Sequence, residues 1–177
     1  MKRIQSSIIV IIAGSLAVLG GAAVCARDKY ALVTTSGIAF SDFRGYEDWP
    51  VVSSARTTEI LKVIVANPIM IAAFKAGVPG NRQRFPDGSK IAKLQWSQKK
   101  NTEATFDVDV PNLFTQAFVI EKDSKRFPNS GGWGYALFNY AAASGTFTAD
   151  PSPSDCGYAC HVAVKAKDYI FHPYEKR

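Results

Sequence analysis

Four stretches of this chain carry the two-residue period of a β-strand and are bounded by turn-forming residues, which directs it toward an antiparallel sheet. Residues 57–65 are rich in β-branched side chains. Residues 89–96 set Ala92, Leu94 and Trp96 on one face and Ile91 and Lys93 on the other. Residues 114–121 place Phe114, Phe118 and Ile120 on one side, and residues 133–140 form a fourth, aromatic strand entered through Gly131 and Gly132. A helix is expected between the first two strands, because Asn67 suits an N-cap, Pro68 the first helical position and Gly77 the stop. Residues 78–88 and 150–154 read as loops from their prolines and glycines. Residues 162–167 are expected to form a short helix with His161 in its first turn, and residues 27–48 carry no period that places them. The reading is a mainly β (α+β) fold, one antiparallel-sheet domain with a few short helices.

The N-terminus has Lys2 and Arg3, an uncharged apolar run over residues 8–24, and Val24 and Ala26 at the positions a signal peptidase reads. Residues 1–26 are therefore expected to be a signal peptide cleaved after Ala26, with the domain over 27–177 and a periplasmic location. A retained membrane anchor is the competing reading of the same run. The 21 Lys and Arg residues less Lys2 and Arg3, set against 15 Asp and Glu, leave +4 beyond Ala26. The basic residues occur in short groups broken by acids, Lys99 and Lys100 in one and Lys122, Lys125 and Arg126 in another. Such groups mark solvated faces, and no nucleic-acid role is assigned.

Past Ala26 the only cysteines are Cys156 and Cys160, followed at once by His161. Two thiols and an adjacent imidazole form the attachment pattern of a c-type haem, with the thiols as thioether residues and the histidine as axial iron ligand. The spacing here is C-x-x-x-C-H, one residue longer than usual, and Gly157 is a candidate to absorb the extra residue by taking positive φ. An oxidising compartment also permits a local Cys156–Cys160 disulfide. A zinc or copper site would need Cys156, Cys160, His161 and His172 together. His172 is otherwise read as a packed or surface residue, and Met70 as helix core. The 11 Phe, 7 Tyr and 3 Trp supply enough apolar surface to enclose a large flat cofactor.

Several blocks together resemble the cytochrome P460 family: Phe85-Pro86-Asp87-Gly88-Ser89-Lys90-Ile91-Ala92-Lys93, Lys122-Asp123-Ser124-Lys125-Arg126-Phe127, Gly131-Gly132-Trp133-Gly134-Tyr135-Ala136, and Cys156 to His161 running into Asp168-Tyr169-Ile170-Phe171. The resemblance implies one covalent haem c and a lysine bond to the haem ring at the position matching Lys93. Lys90, three residues earlier, should face the opposite sheet surface. The resemblance further implies oxidation of hydroxylamine to nitric oxide or nitrous oxide at a five-coordinate haem. Electrons would pass to an external acceptor, for which the resemblance implies another cytochrome, and a homodimer is compatible with the family. One departure stands out. Counted back from Lys122, the distal carboxylate of hydroxylamine-oxidising members falls on Phe118, while Glu121 lies on the other face of the strand. Phe118 suits instead the apolar pocket of the related β-sheet cytochromes c′, which bind nitric oxide and similar gases.

Overall fold

A computed structural model describes residues 28–152 and 154–175. The expected signal peptide lies outside the described residues. Six strands form one antiparallel sheet in sequence order: β1 (Val51–Arg56), β2 (Ile60–Ala66), β3 (Lys90–Lys100), β4 (Asp109–Lys122), β5 (Trp133–Ala141) and β6 (Thr146–Ala149). Helix α1 (Pro68–Lys75) follows β2, and α2 (Ser154–His161) follows β6. The fold is mainly β with short helices, as the periodicity predicts. β1 and β6, the two edge strands, were not among the four expected. The first expected strand begins at Ile60, since residues 57–59 form the turn of the β1–β2 hairpin.

Helix α1 forms for the reasons its sequence states. The Asn67 side chain accepts the Met70 N–H at 3.1 Å and the Lys90 N–H at 3.0 Å, so one cap satisfies a helix end and the first residue of β3. Gly77, with φ of 93°, ends the turn that follows.

Each face of the sheet has its own core. On one, Ile64, Ile91, Ile120, Trp133 and Tyr135 pack against Met70 and Ile71 of α1, Phe85 of the following loop, and Tyr169 and Ile170 near the C-terminus. On the other, Val65, Ala92, Ala117, Val119 and Phe138 are covered by Ile38, Phe40, Phe43 and Tyr46. The segment that had no strand or helix period is thus a lid of 3-10 turns. Its aromatic anchors, with the Phe40 ring stacked 4.4 Å from Phe138, supply the burial that regular structure would otherwise provide.

One facing assignment is corrected by a β-bulge. Gln95 pairs with Gln116 but Trp96 pairs with Phe114, so Thr115 is the extra residue on β4 and bonds the Gln95 carbonyl through its hydroxyl. Phe118 and Ile120 share a face as expected. Phe114 falls on the other, with its ring against Trp96 and Phe147.

Candidate functional site

The register of the sheet brings the candidates together. Lys93 on β3 pairs with Phe118 on β4 and with Ile64 on β2, so these side chains stand side by side on the face that carries α1. The Lys93 ammonium lies 4.6 Å from the centre of the Phe118 ring. They line an apolar cavity completed by Ile91, Ile120, His161, Ile170, Phe171 and His172. A second hollow shares Lys93, Phe118 and His161 and continues to Cys156, Gly157 and Cys160. Burial, and secondarily the Lys62 cation, holds the Lys93 amine below the ordinary lysine range. That raises the fraction of neutral, nucleophilic amine.

Lys90 and Glu121 belong to the opposite face, as alternation requires. Glu121 is buried there between Arg126 at 2.5 Å and Lys90 at 3.6 Å, and Lys90 also donates to the Asp42 carbonyl. Glu121 is therefore locked in an ion-pair cluster on the far side of the sheet and gives no carboxylate to the cavity.

The cysteine motif folds differently from the expectation. It lies within α2, which starts at Ser154 and ends at His161, while residues 162–167 continue as a 3-10 turn. Cys156 and Cys160 are four apart on this helix and share a face, so the extra residue of C-x-x-x-C is taken up as helical repeat. Gly157 has no positive φ and forms no bulge. Its role is close approach: a Cβ there would sit 2.5 Å from the Tyr135 Cβ. The Ser154 hydroxyl accepts the Tyr135 N–H at 2.9 Å, so β5 holds the same helix at two points.

His161 is enclosed by the rings of Tyr135 at 4.9 Å, Phe171 at 5.0 Å and Phe118 at 6.2 Å. Its Nδ1 is 2.6 Å from the Tyr169 carbonyl oxygen. A carbonyl can only accept, so Nδ1 carries the proton and Nε2 keeps its lone pair. Burial is the main reason the imidazole pKa falls below its usual value, and the nearby Lys93 cation adds to it. The donor set fits a c-type haem: both thiols are free and exposed on one helix face, the one bare imidazole nitrogen follows them, and an apolar cavity adjoins. The described residues hold no cluster of three or more His, Cys, Asp or Glu placed for a metal ion, so the zinc or copper reading loses its ligands.

His172, which the sequence offers only as a fourth zinc or copper ligand and otherwise as a packed or surface residue, lines the cavity, with Nδ1 3.2 Å from the Ser53 hydroxyl. The only signal was adjacency, since it directly follows the Asp168–Phe171 block. Burial, then the Lys93 and Lys62 cations, lower its pKa. The folded chain thus binds fewer protons than the unfolded one. Stability contributed by neutral His172 is present above the unfolded value of about 6.5 and declines as pH falls through that range toward the lower folded value. His161 acts with the same sign. In urea unfolding of the haem-free chain at about pH 7.5 and 5.5, His172→Gln is expected to reduce the drop in midpoint without abolishing it. An undiminished drop would remove His172 from this account.

A search of curated proteins finds no match to the chain. A family model described as cytochrome P460 matches residues 43–172, from the aromatic lid through every strand and α2 to His172, and the chain accordingly belongs to the cytochrome P460 family of c-type haem proteins.

Proposed function

We propose that this chain is an exported, periplasmic mono-haem cytochrome whose cavity binds nitric oxide and similarly small neutral ligands. The observation that carries the reading is the apolar lining. Phe118, Ile64, Ile91, Ile120, Ile170 and Phe171 surround the space beside His161, and the nearest carboxylate on the same strand, Glu121, is paired on the other face. Such walls exclude water and favour small uncharged ligands over those that must lose protons on binding. Cys156 and Cys160 would form the two thioethers, and His161 would face the iron through Nε2. When bound, the haem supplies an iron centre that takes up small ligands and exchanges electrons with an external acceptor, of which another cytochrome is the expected kind.

Hydroxylamine oxidation is the second reading, favoured by Lys93 and His172. Lys93 stands in the cavity with its amine biased toward the neutral form that a bond to the haem ring requires. His172, also held toward its neutral form, is the imidazole of the cavity left free to accept a proton once His161 faces the iron.

The two readings separate in one set of measurements on protein made with periplasmic haem-attachment machinery. The wild type is expected to bind nitric oxide and to oxidise hydroxylamine slowly with an artificial acceptor. Phe118→Glu is expected to raise hydroxylamine turnover by about 10²-fold, the lower end of what a positioned proton acceptor contributes. Rapid wild-type turnover, unchanged by the substitution, would reverse the order of the readings. A strongly red-shifted Soret band in the reduced protein would mark the Lys93 bond, and an ordinary c-type band would remove Lys93 from the chemistry.

A further inference from the structure

The carbonyl that holds His161 belongs to an unusual corner. Asp168 and Tyr169, consecutive and neither of them glycine, both have left-handed backbone, with φ of 48° and 66°. Side chains with a Cβ disfavour that region, so two in succession persist only where the surroundings impose them. A buried ion pair imposes them. The Asp168 carboxylate is buried against the Lys122 ammonium at 3.0 and 3.1 Å, and its Oδ2 also accepts the Phe85 N–H at 2.8 Å. Lys122 donates in addition to the Gly131 carbonyl at 2.8 Å. The Lys122 backbone is pinned to the turn before β3 by two bonds, accepting the Gly88 N–H and donating to the Ser89 carbonyl, each at 2.8 Å. On the other side of the corner, the Tyr169 ring packs where any Cβ on Gly131 would stand.

We propose that the buried Lys122–Asp168 pair is a positioning device for His161. It fixes the left-handed corner so that the Tyr169 carbonyl accepts the Nδ1–H hydrogen bond, which sets the tautomer, the ring orientation and the electron-donating strength of Nε2. A pair with only a packing role would have no need to sit beside the residue whose carbonyl meets the imidazole. Lys122, Asp168 and Tyr169 thus form a chain of support from β4 to the candidate iron ligand, and none of them touches the ligand cavity itself. Hydrogen bonding at the far nitrogen strengthens a histidine ligand, so loosening it should weaken the iron–histidine bond and favour the reduced iron. This inference rests on the reading of His161 as axial ligand.

The test uses the haem-loaded full chain, with two readouts independent of turnover: the iron–histidine stretching band of the reduced protein by resonance Raman, and the midpoint potential. Asp168→Asn keeps an acceptor for the Phe85 N–H but removes the charge facing Lys122. It is expected to shift the band to lower frequency and the potential to more positive values. Lys122→Arg, which retains the pair, should stay near the wild type in both. If Asp168→Asn does not fold, the double replacement Lys122→Met with Asp168→Leu removes both charges together, and the same shifts are expected of it. A folded variant without the pair that keeps the wild-type band and potential would overturn the proposal. An iron–histidine band that persists unchanged in His161→Gln would overturn the assignment of His161 instead, a result distinct from an unshifted band in the pair variants.

Discussion

Asp168→Ala is expected to destabilise the chain by about 3–5 kcal/mol, the range for breaking a buried ion pair by removing one partner. The Lys122 and Asp168 side chains are 3% and 4% exposed, and the ammonium left behind keeps only the Gly131 carbonyl of its present hydrogen-bond partners. The Lys122 amine already has a pKa below its ordinary value, through burial, with Asp168 acting to raise it. Removing the carboxylate lowers it further and widens the gap to the unfolded lysine. The folded chain then binds fewer protons than the unfolded one, so the variant regains stability as pH rises from the folded value toward the unfolded value of about 10.4. Urea unfolding at about pH 7 and about pH 9.5 should show the deficit shrinking at the higher pH. The double replacement with Met and Leu should fold far better than the single, because no charge is stranded. Equal stability of the single variant and the wild type at neutral pH would mean that Lys122 reaches solvent.

Gly157→Val is expected to cut covalent haem incorporation at least tenfold and to destabilise the chain by about 1–3 kcal/mol, the usual range for forcing extra carbons into a packed contact. The first added carbon would lie 2.5 Å from Tyr135 Cβ and 2.6 Å from its Cγ. Carbons attract best at about 3.5–4.0 Å, so α2 would have to lift off β5. That movement carries Cys156, Cys160 and His161 away from Lys93 and Phe118 together. Intact mass spectrometry reports the fraction of chain carrying haem, and a thermal melt reports the stability. Wild-type values in both would show that α2 does not need its close seat on β5.

Much of this could be read from residue order, and the failures have identifiable causes. Strong alternation marked β2 to β5, and the Asn67, Pro68 and Gly77 triplet marked α1, because each rests on local chemistry. The edge strands β1 and β6 are short, and in β1 only Val52 is buried, so neither shows a two-faced pattern. Phe114 was misassigned because one extra residue, Thr115, inverts the facing of everything before it while leaving no mark in the alternation. In the candidate site, Cys156, Cys160 and His161 are nameable from their motif, and Lys93 and Phe118 only through the family resemblance. Their convergence depends on the pairing of Lys93 with Phe118 and on the seat of α2, both of which are long-range. The part played by Gly157 was misjudged because its neighbour in space, Tyr135, is 22 positions away in sequence. Ile64 and His172 carry no motif at all and join the cavity only through the register of β2 and the path of the C-terminal segment.

The aromatic lid has a consequence for how the molecule meets its surroundings. Residues 28–48 occupy the sheet surface opposite the cavity, where Lys29 reaches Glu47 and lies over the Phe147 ring. The Asp28 end of the described residues and the Lys93 and His161 side are thus kept apart by the whole thickness of the sheet, so a probe coupled at Asp28 would leave the cavity face uncovered.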